Sequence, residues 1–195
     1  MKNLYPVALI PVVFLISCSA SKHVTTVIRP NTAVRSTVIL KENIPSKSIN
    51  TKNVAANDVV AFAESLLGYP YKWGGTNTRE GFDCSGLITY IFNKFKISVP
   101  RVSKDFTNAG QVVSTLECKR GDIILFTGSN PNSGVVGHMG IITKNDRGII
   151  QFIHSASGEG GGVTLAGMNP YFIPRFVKVI RIFNDITPDT ANQSK

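Results

Sequence analysis

The chain has 195 residues, 43% of them apolar and 17% charged, which suits one folded domain with a substantial core and excludes a low-complexity tract or two full-sized domains. Lysine and arginine number 21 against 12 acidic residues, a net charge of +9, and three cysteines are too few for the disulfide framework of a small secreted scaffold. Such a charge asks for an anionic partner: nucleic acid, a membrane surface or an acidic polymer.

At the amino terminus Lys2 precedes an uncharged run over residues 4–16, interrupted by Pro6 and Pro11. A membrane span needs about 20 apolar residues, so the run fits the core of a secretory signal instead. Leu15, Ile16, Ser17 and Cys18 that close it resemble a bacterial lipobox. The resemblance implies that residues 1–17 are a removable signal peptide and that Cys18, lipid-modified by acyl chains such as palmitate, begins the mature protein. An ordinary signal peptide or an uncleaved anchor is the alternative. Two or three acyl chains hold a protein on a membrane where one does not. Ser19, which is not acidic, resembles the second residue of lipoproteins sent to an outer membrane, facing the periplasm.

Residues 18–57 read as a basic flexible tether. Lys22, Arg29, Arg35, Lys41, Lys47 and Lys52 face a single Glu42 among many Ser, Thr and Asn, with no aromatic residue. Residues 34–40 form one short edge strand at most. More than half of the charge excess sits in this segment, and without aromatic platforms or a recognition motif it does not suggest nucleic acid.

The folded part is expected over residues 58–183, with a tail at 184–195. Asn57 and Asp58 predict a helix cap before the apolar residues 59–67, closed by Gly68. Residues 69–82, punctuated by Gly and Pro, read as loop. Cys84, Leu87, Ile88, Ile91, Phe92 and Phe95 recur at helical spacing and predict an amphipathic helix. Ser103 is expected to cap a short helix. Beyond Gly121 the period changes to strands at 122–127, 138–144, 148–154, 162–166 and 175–183. Helices first and antiparallel strands after them give an α+β domain.

Cys84 stands at the start of its helix, where the helix dipole favours thiolate. Gly86 is expected to keep that first turn open to a substrate carbonyl. Of the three histidines, His23 falls in the tether, and His138 and His154 lie at the start of one strand and the end of the next. If those strands pair, the two imidazoles are neighbours. His138 then takes the thiol proton and His154 orients His138. Taken singly, a packed cysteine and two half-exposed strand-end histidines are the plainer reading.

The sequences Tyr71-Lys-Trp-Gly-Gly75, Phe82-Asp-Cys-Ser-Gly-Leu87, Val99-Pro-Arg101 with Ser103, Arg120-Gly-Asp122, Gly137-His-Met-Gly-Ile-Ile142 and Ile153-His-Ser-Ala156 resemble, in order and spacing, the motifs of the NlpC/P60 family of cysteine peptidases. The resemblance spans about residues 58–183. It implies a papain-like α+β fold with N-terminal helices packed on a central antiparallel sheet, and hydrolysis of peptidoglycan stem peptides between γ-D-glutamate and a diamino acid such as meso-diaminopimelate. By matching positions Cys84 is the nucleophile, His138 the base and His154 the orienting residue, while Tyr71, Asp83 and Ser85 line the substrate end of the cleft. Phe106 stands where relatives often carry Gln, so part of the cleft wall is expected to differ. The loop from Gly128 to Gly137 is expected to shape access.

The reading is therefore a monomeric, lipid-anchored cysteine endopeptidase of the bacterial cell envelope, with stem peptides and a membrane as partners, no nucleic acid, no cofactor and no metal. The alternatives are a silent wall-peptide-binding lipoprotein and a papain-like amidase or acyltransferase. Cys118, beside Lys119 and Arg120, is expected to be a free, half-buried thiol; the adjacent cations would lower its pKa. Zinc on Cys84, His138 and His154 lacks the usual ligand spacing, and the Gly-rich 158–162 segment reads as a strand connection.

Overall fold

The computed structural model describes residues 48–158 and 161–183. The signal at 1–17, Cys18, His23, the strand at 34–40, most of the tether and the tail at 184–195 lie outside the described residues.

Helix α1 (Ala56–Glu64) starts earlier than its sequence suggests. Its cap is Ala55, which offers no side-chain acceptor. The amides of Asp58 and Val59 already bond Ala55 O at 3.1 and 3.4 Å, so Asn57 and Asp58 fall inside the first turn. There the Asp58 carboxylate meets the positive end of the helix dipole. Val59, Val60 and Ala63 are buried. The chain leaves α1 through Gly68, whose φ of +87° ordinary residues avoid, and whose N–H bonds Val163 O at 2.9 Å.

The segment read as loop contains a small antiparallel hairpin, β1 (Thr76–Asn77) and β2 (Gly81–Phe82). Two-residue strands leave no periodic trace in a sequence. The turn is held by Asn77 Oδ1, which accepts from the amides of Arg79 and Glu80, each at 3.0 Å. Helix α2 (Cys84–Lys94) follows, capped by Asp83, with Leu87, Ile88, Ile91 and Phe92 buried. A 3-10 turn at Ser103–Phe106 comes next. Ser103 does not cap it. Val102 holds that position without a side-chain bond, and the Ser103 hydroxyl turns elsewhere.

Six antiparallel strands build the sheet: β3 (Gln111–Val113), β4 (Ile123–Thr127), β5 (Val136–Asp146), β6 (Ile149–Ala156), β7 (Gly162–Gly167) and β8 (Phe176–Arg181), in the order β3-β8-β4-β5-β6-β7. The five strands read from sequence all form, with shifted ends. The sixth, β3, is three poorly buried residues that exist as a strand only because β8 pairs with them. All five β4 residues are buried because both faces of the sheet are covered. Ile123 and Leu125 pack with Met139, Ile141 and Ile153 beneath α1 and α2. Ile124 and Phe126 pack on the other face with Ile142, Phe152, Phe172 and Cys118. Phe106 is fully buried in the first cluster, so its side chain belongs to the core and does not line the cleft.

Two ion pairs clamp the ends of these elements. Arg120 donates to both carboxylate oxygens of Glu64 on α1, each at 2.8 Å. Arg181 on β8 does the same to buried Asp122 at 3.0 and 2.8 Å.

Candidate active site

The site sits where the start of α2 meets the start of β5. Asp83 caps α2 by accepting from Gly86 N, and its other oxygen accepts from Gly74 N at 3.0 Å. Arg101 reaches both Asp83 oxygens (3.4 and 3.2 Å), Ser85 Oγ (3.0 Å) and Gly74 O (3.1 Å). Asp83 and Ser85 therefore fix the turn that carries Cys84 and tie it to the Tyr71–Gly75 loop. A Cβ on Gly86 would collide with Gly75 O. Gly86 thus makes room for the protein's own backbone, and not for a substrate carbonyl as its sequence position suggests.

The β5–β6 hairpin delivers the histidines. It turns through Arg147 and Gly148, with φ of +49° and +95° as a tight two-residue hairpin requires. Ile141 pairs with Ile153. His154 therefore lies opposite Gly140, and His138, two residues away on the same face, is its diagonal neighbour. With only hydrogen on Gly140 the rings meet: His138 Nε2 and His154 Nδ1 are 2.9 Å apart, with ring planes at 87°. Phe172 stacks against His138 at 6.1 Å and sets its edge toward His154 at 5.3 Å.

Cys84 Sγ is 3.5 Å from Ser103 Oγ and 3.9 Å from Gly137 O, the carbonyl just before His138. Gly137 in turn lies against Gly128, where a Cβ would approach the neighbouring backbone to 2.8 Å. Cys84, His138, Tyr71, Asp83 and Ser85 line one open cleft of about 830 Å³, together with Trp73, Arg101 and Ser103, with Thr127 at the end of β4, and with Gly128, Ser129 and Val135 from the loop after it. Tyr71 is bridged to Phe82 on the flank of that cleft. His154 stands behind His138, 4% exposed.

Burial decides the resting protonation. It pushes the Cys84 thiol above its ordinary pKa, against the Ser103 hydroxyl and the backbone N–H groups of Ser85 and Cys84, which favour thiolate; the Asp83 charge adds to the rise. Burial likewise pulls His138 below the usual imidazole value, with repulsion from His154 second, and burial alone lowers His154. Each of these directions favours the neutral form, thiol for Cys84 and imidazole for His138 and His154, in the free protein. Burial raises Tyr71, followed by the charge Cys84 carries once it ionises and by the Asp83 carboxylate, so Tyr71 stays a phenol and a hydrogen-bond donor.

Sequence reasoning missed two contributors, Ser103 at the sulfur and Phe172 over the imidazoles. Ser103 appeared as a helix cap and within a quoted motif but with no role at the sulfur, and Phe172 belongs to no periodic element. Cys118 differs from expectation too. It is 4% exposed and its pKa is pushed up to about 11, first by burial and then by Asp122, which together outweigh Arg181. It is held by Asn145 Nδ2 at 3.2 Å and bonds no other cysteine.

A cysteine at a helix start, packed against an antiparallel sheet that carries paired histidines, is consistent with a papain-like α+β fold. The NlpC/P60 family model matches residues 68–181, more than half of the chain, and the protein belongs to that family of cysteine peptidases. It is 35% identical over 134 residues to Gamma-DL-glutamyl hydrolase of Bacillus subtilis, which covers 69% of this chain and 31% of that protein. It is 35% identical over 141 residues to Peptidoglycan endopeptidase RipB of Mycobacterium tuberculosis, covering 64% of this chain and 54% of that one. The crystal structure of an NlpC/P60 family protein from Bacillus cereus superposes with a TM-score of 0.59 at 28% identity, over 70% of this chain and 42% of that chain. The chain thus spans about a third to a half of the length of these relatives.

Proposed function

We propose that this protein is a cysteine endopeptidase of the bacterial cell envelope that hydrolyses peptidoglycan stem peptides at the bond between γ-D-glutamate and a diamino acid. The observation that carries the reading is the constellation itself: a thiol at the N-terminus of α2, opening on a cleft shared with His138, whose Nε2 is 2.9 Å from His154 Nδ1. The names of the relatives, which include a glutamyl hydrolase and a peptidoglycan endopeptidase, support the substrate class.

When His138 Nε2 donates to His154 Nδ1, His138 Nδ1 is left with a free lone pair. That nitrogen accepts the Cys84 proton as sulfur attacks the γ-glutamyl carbonyl. The tetrahedral oxyanion forms near the α2 N-terminus, where backbone N–H groups and the Tyr71 phenol stabilise it. The imidazolium gives its proton to the departing amine, the C–N bond breaks, and a thioester remains. Water, deprotonated by His138, attacks the thioester and releases the acid and the thiol. His154 keeps the His138 tautomer and shares its transient charge. Bound substrate that displaces solvent favours the ion pair over the neutral pair of the free protein.

We further assign residues 1–17 to a signal peptide, Cys18 to lipidation, and the segment after it to a basic tether that gives way to the catalytic domain before residue 58, where the sequence had put the boundary, because Ile49 and Val54 already pack on the core and α1 begins at Ala56; the anchor is assigned to an outer membrane facing the periplasm. Membrane fractionation of Cys18→Ala tests this: the variant is released to the soluble fraction, and its continued retention would contradict the anchor. For the chemistry, Cys84→Ala abolishes cleavage of defined muropeptides while still binding them.

A further inference from the structure

The mechanism accounts for the side of the cleft built by α2. The side built by the loop after β4 and by the segment leading into β8 holds polar groups that the protein leaves unused. Thr127 is 3% exposed, yet its Oγ1 has no hydrogen-bond partner among the described residues, and neither does Nε of Arg175. Both residues line the cleft. Buried polar atoms are rarely left unpaired, because the loss of water is then uncompensated.

Arg175 is also unusual in its partners. Its Nη1 donates to Tyr171 O at 2.7 Å and its Nη2 to Ser129 O at 3.4 Å, while the guanidinium lies over the Tyr171 ring at 4.0 Å. All of these are neutral. Arg101, Arg120 and Arg181 each face a carboxylate, at 3.2, 2.8 and 2.8 Å; Arg175 faces none among the described residues. A guanidinium held in place by carbonyls and an aromatic face, with its charge uncompensated and donors to spare, is suited to a ligand carboxylate.

The position of this group says which part of a substrate it meets. Phe172, next to Tyr171, stacks on His138, and Thr127 follows Phe126, the β4 partner of His138. Arg175, bonded to the Tyr171 carbonyl, therefore lies on the His138 flank, with Thr127 lining the same cleft at the end of β4, whereas Asp83, Ser85 and Arg101 lie on the α2 flank. A base that hands its proton to the departing amine must stand beside the leaving fragment, so the His138 flank receives the diamino acid.

Building on the endopeptidase reading above, we propose that Arg175, helped by the Thr127 hydroxyl, binds the side-chain carboxylate of the departing diamino acid and selects stem peptides in which that carboxylate is free over those in which it is amidated. Two tetrapeptides, L-Ala-γ-D-Glu-diaminopimelate-D-Ala with the side-chain carboxylate free or converted to carboxamide, test this by kcat/KM with products identified by mass. The wild type favours the free acid by about tenfold or more. In Arg175→Gln that ratio falls toward one, mainly through a higher KM for the acid, and Arg175→Lys falls between. Thr127→Val lowers the ratio and raises the melting temperature, because it removes an unpartnered buried hydroxyl from the free protein. A wild-type ratio of one, or an unchanged ratio in both Arg175→Gln and Thr127→Val, overturns the carboxylate subsite while leaving the endopeptidase reading intact. Failure of the wild type to cleave either peptide overturns both.

Discussion

Ser103 stands 3.5 Å from the Cys84 sulfur and is the largest influence opposing the burial that holds the thiol protonated. Ser103→Ala is therefore expected to move the midpoint of Cys84 alkylation by iodoacetamide to higher pH; an unchanged midpoint would remove Ser103 from the site. In the same reaction at pH 8, peptide mapping should show Cys84 modified and Cys118 spared, since Cys118 is 4% exposed and its pKa is raised to about 11. The two histidines differ in consequence. His138→Ala removes the proton carrier and should cost about 10²- to 10⁴-fold in kcat. His154→Asn keeps an acceptor near His138 Nε2 and should retain part of the activity; equal, full activity in both variants would contradict their roles. Cys84, His138 and His154 were legible because their chemistry is tied to positions a sequence displays, a helix start and two strand ends. The contacts of Ser103 and Phe172 were not, because the sulfur and the rings reach them only through packing between distant segments.

The β5–β6 hairpin acts as the device that pairs the imidazoles, and Gly140 is the position where it can be broken. A Cβ there would come to 2.7 Å from Ile153 O and 2.8 Å from the Phe152 ring. Gly140→Ala should push the two strands apart near the histidines, destabilise the fold by about 1–3 kcal/mol and lower activity further than the unfolded fraction explains. Activity per folded molecule equal to wild type would contradict this. Strands β4 to β8 announced themselves through apolar runs and turn residues. The β1–β2 hairpin and β3 did not, because two- and three-residue strands are defined by their partners. Inserting β8 between β3 and β4 is a long-range choice that no local pattern encodes. The early start of α1 has a simpler origin: the Ala55 carbonyl begins the helix before the polar pair that resembled its cap.

For the whole molecule the +9 charge divides into a basic leader and a mildly basic domain whose cleft contains one arginine paired with Asp83 and one, Arg175, with neutral partners. That distribution suits substrates rich in carboxylates. The buried histidines also set an acid limit on the fold. Both have folded-state pKa values below the ordinary 6.5, so the unfolded chain binds more protons as pH falls. Their contribution to stability is therefore full above about pH 6.5 and is lost progressively below it. Urea midpoints measured from pH 8 to pH 4 should fall across that window, and less steeply in a His138→Gln, His154→Gln variant; identical slopes would show that these groups do not govern acid unfolding. The central claim is that Cys84 cleaves a stem peptide beside γ-D-glutamate, and mass analysis of L-Ala-γ-D-Glu-diaminopimelate-D-Ala incubated with wild type and with Cys84→Ala tests it most directly. The account predicts L-Ala-D-Glu and diaminopimelate-D-Ala from the wild type and intact peptide from the variant; the same products from both, or cleavage at another bond, would contradict it.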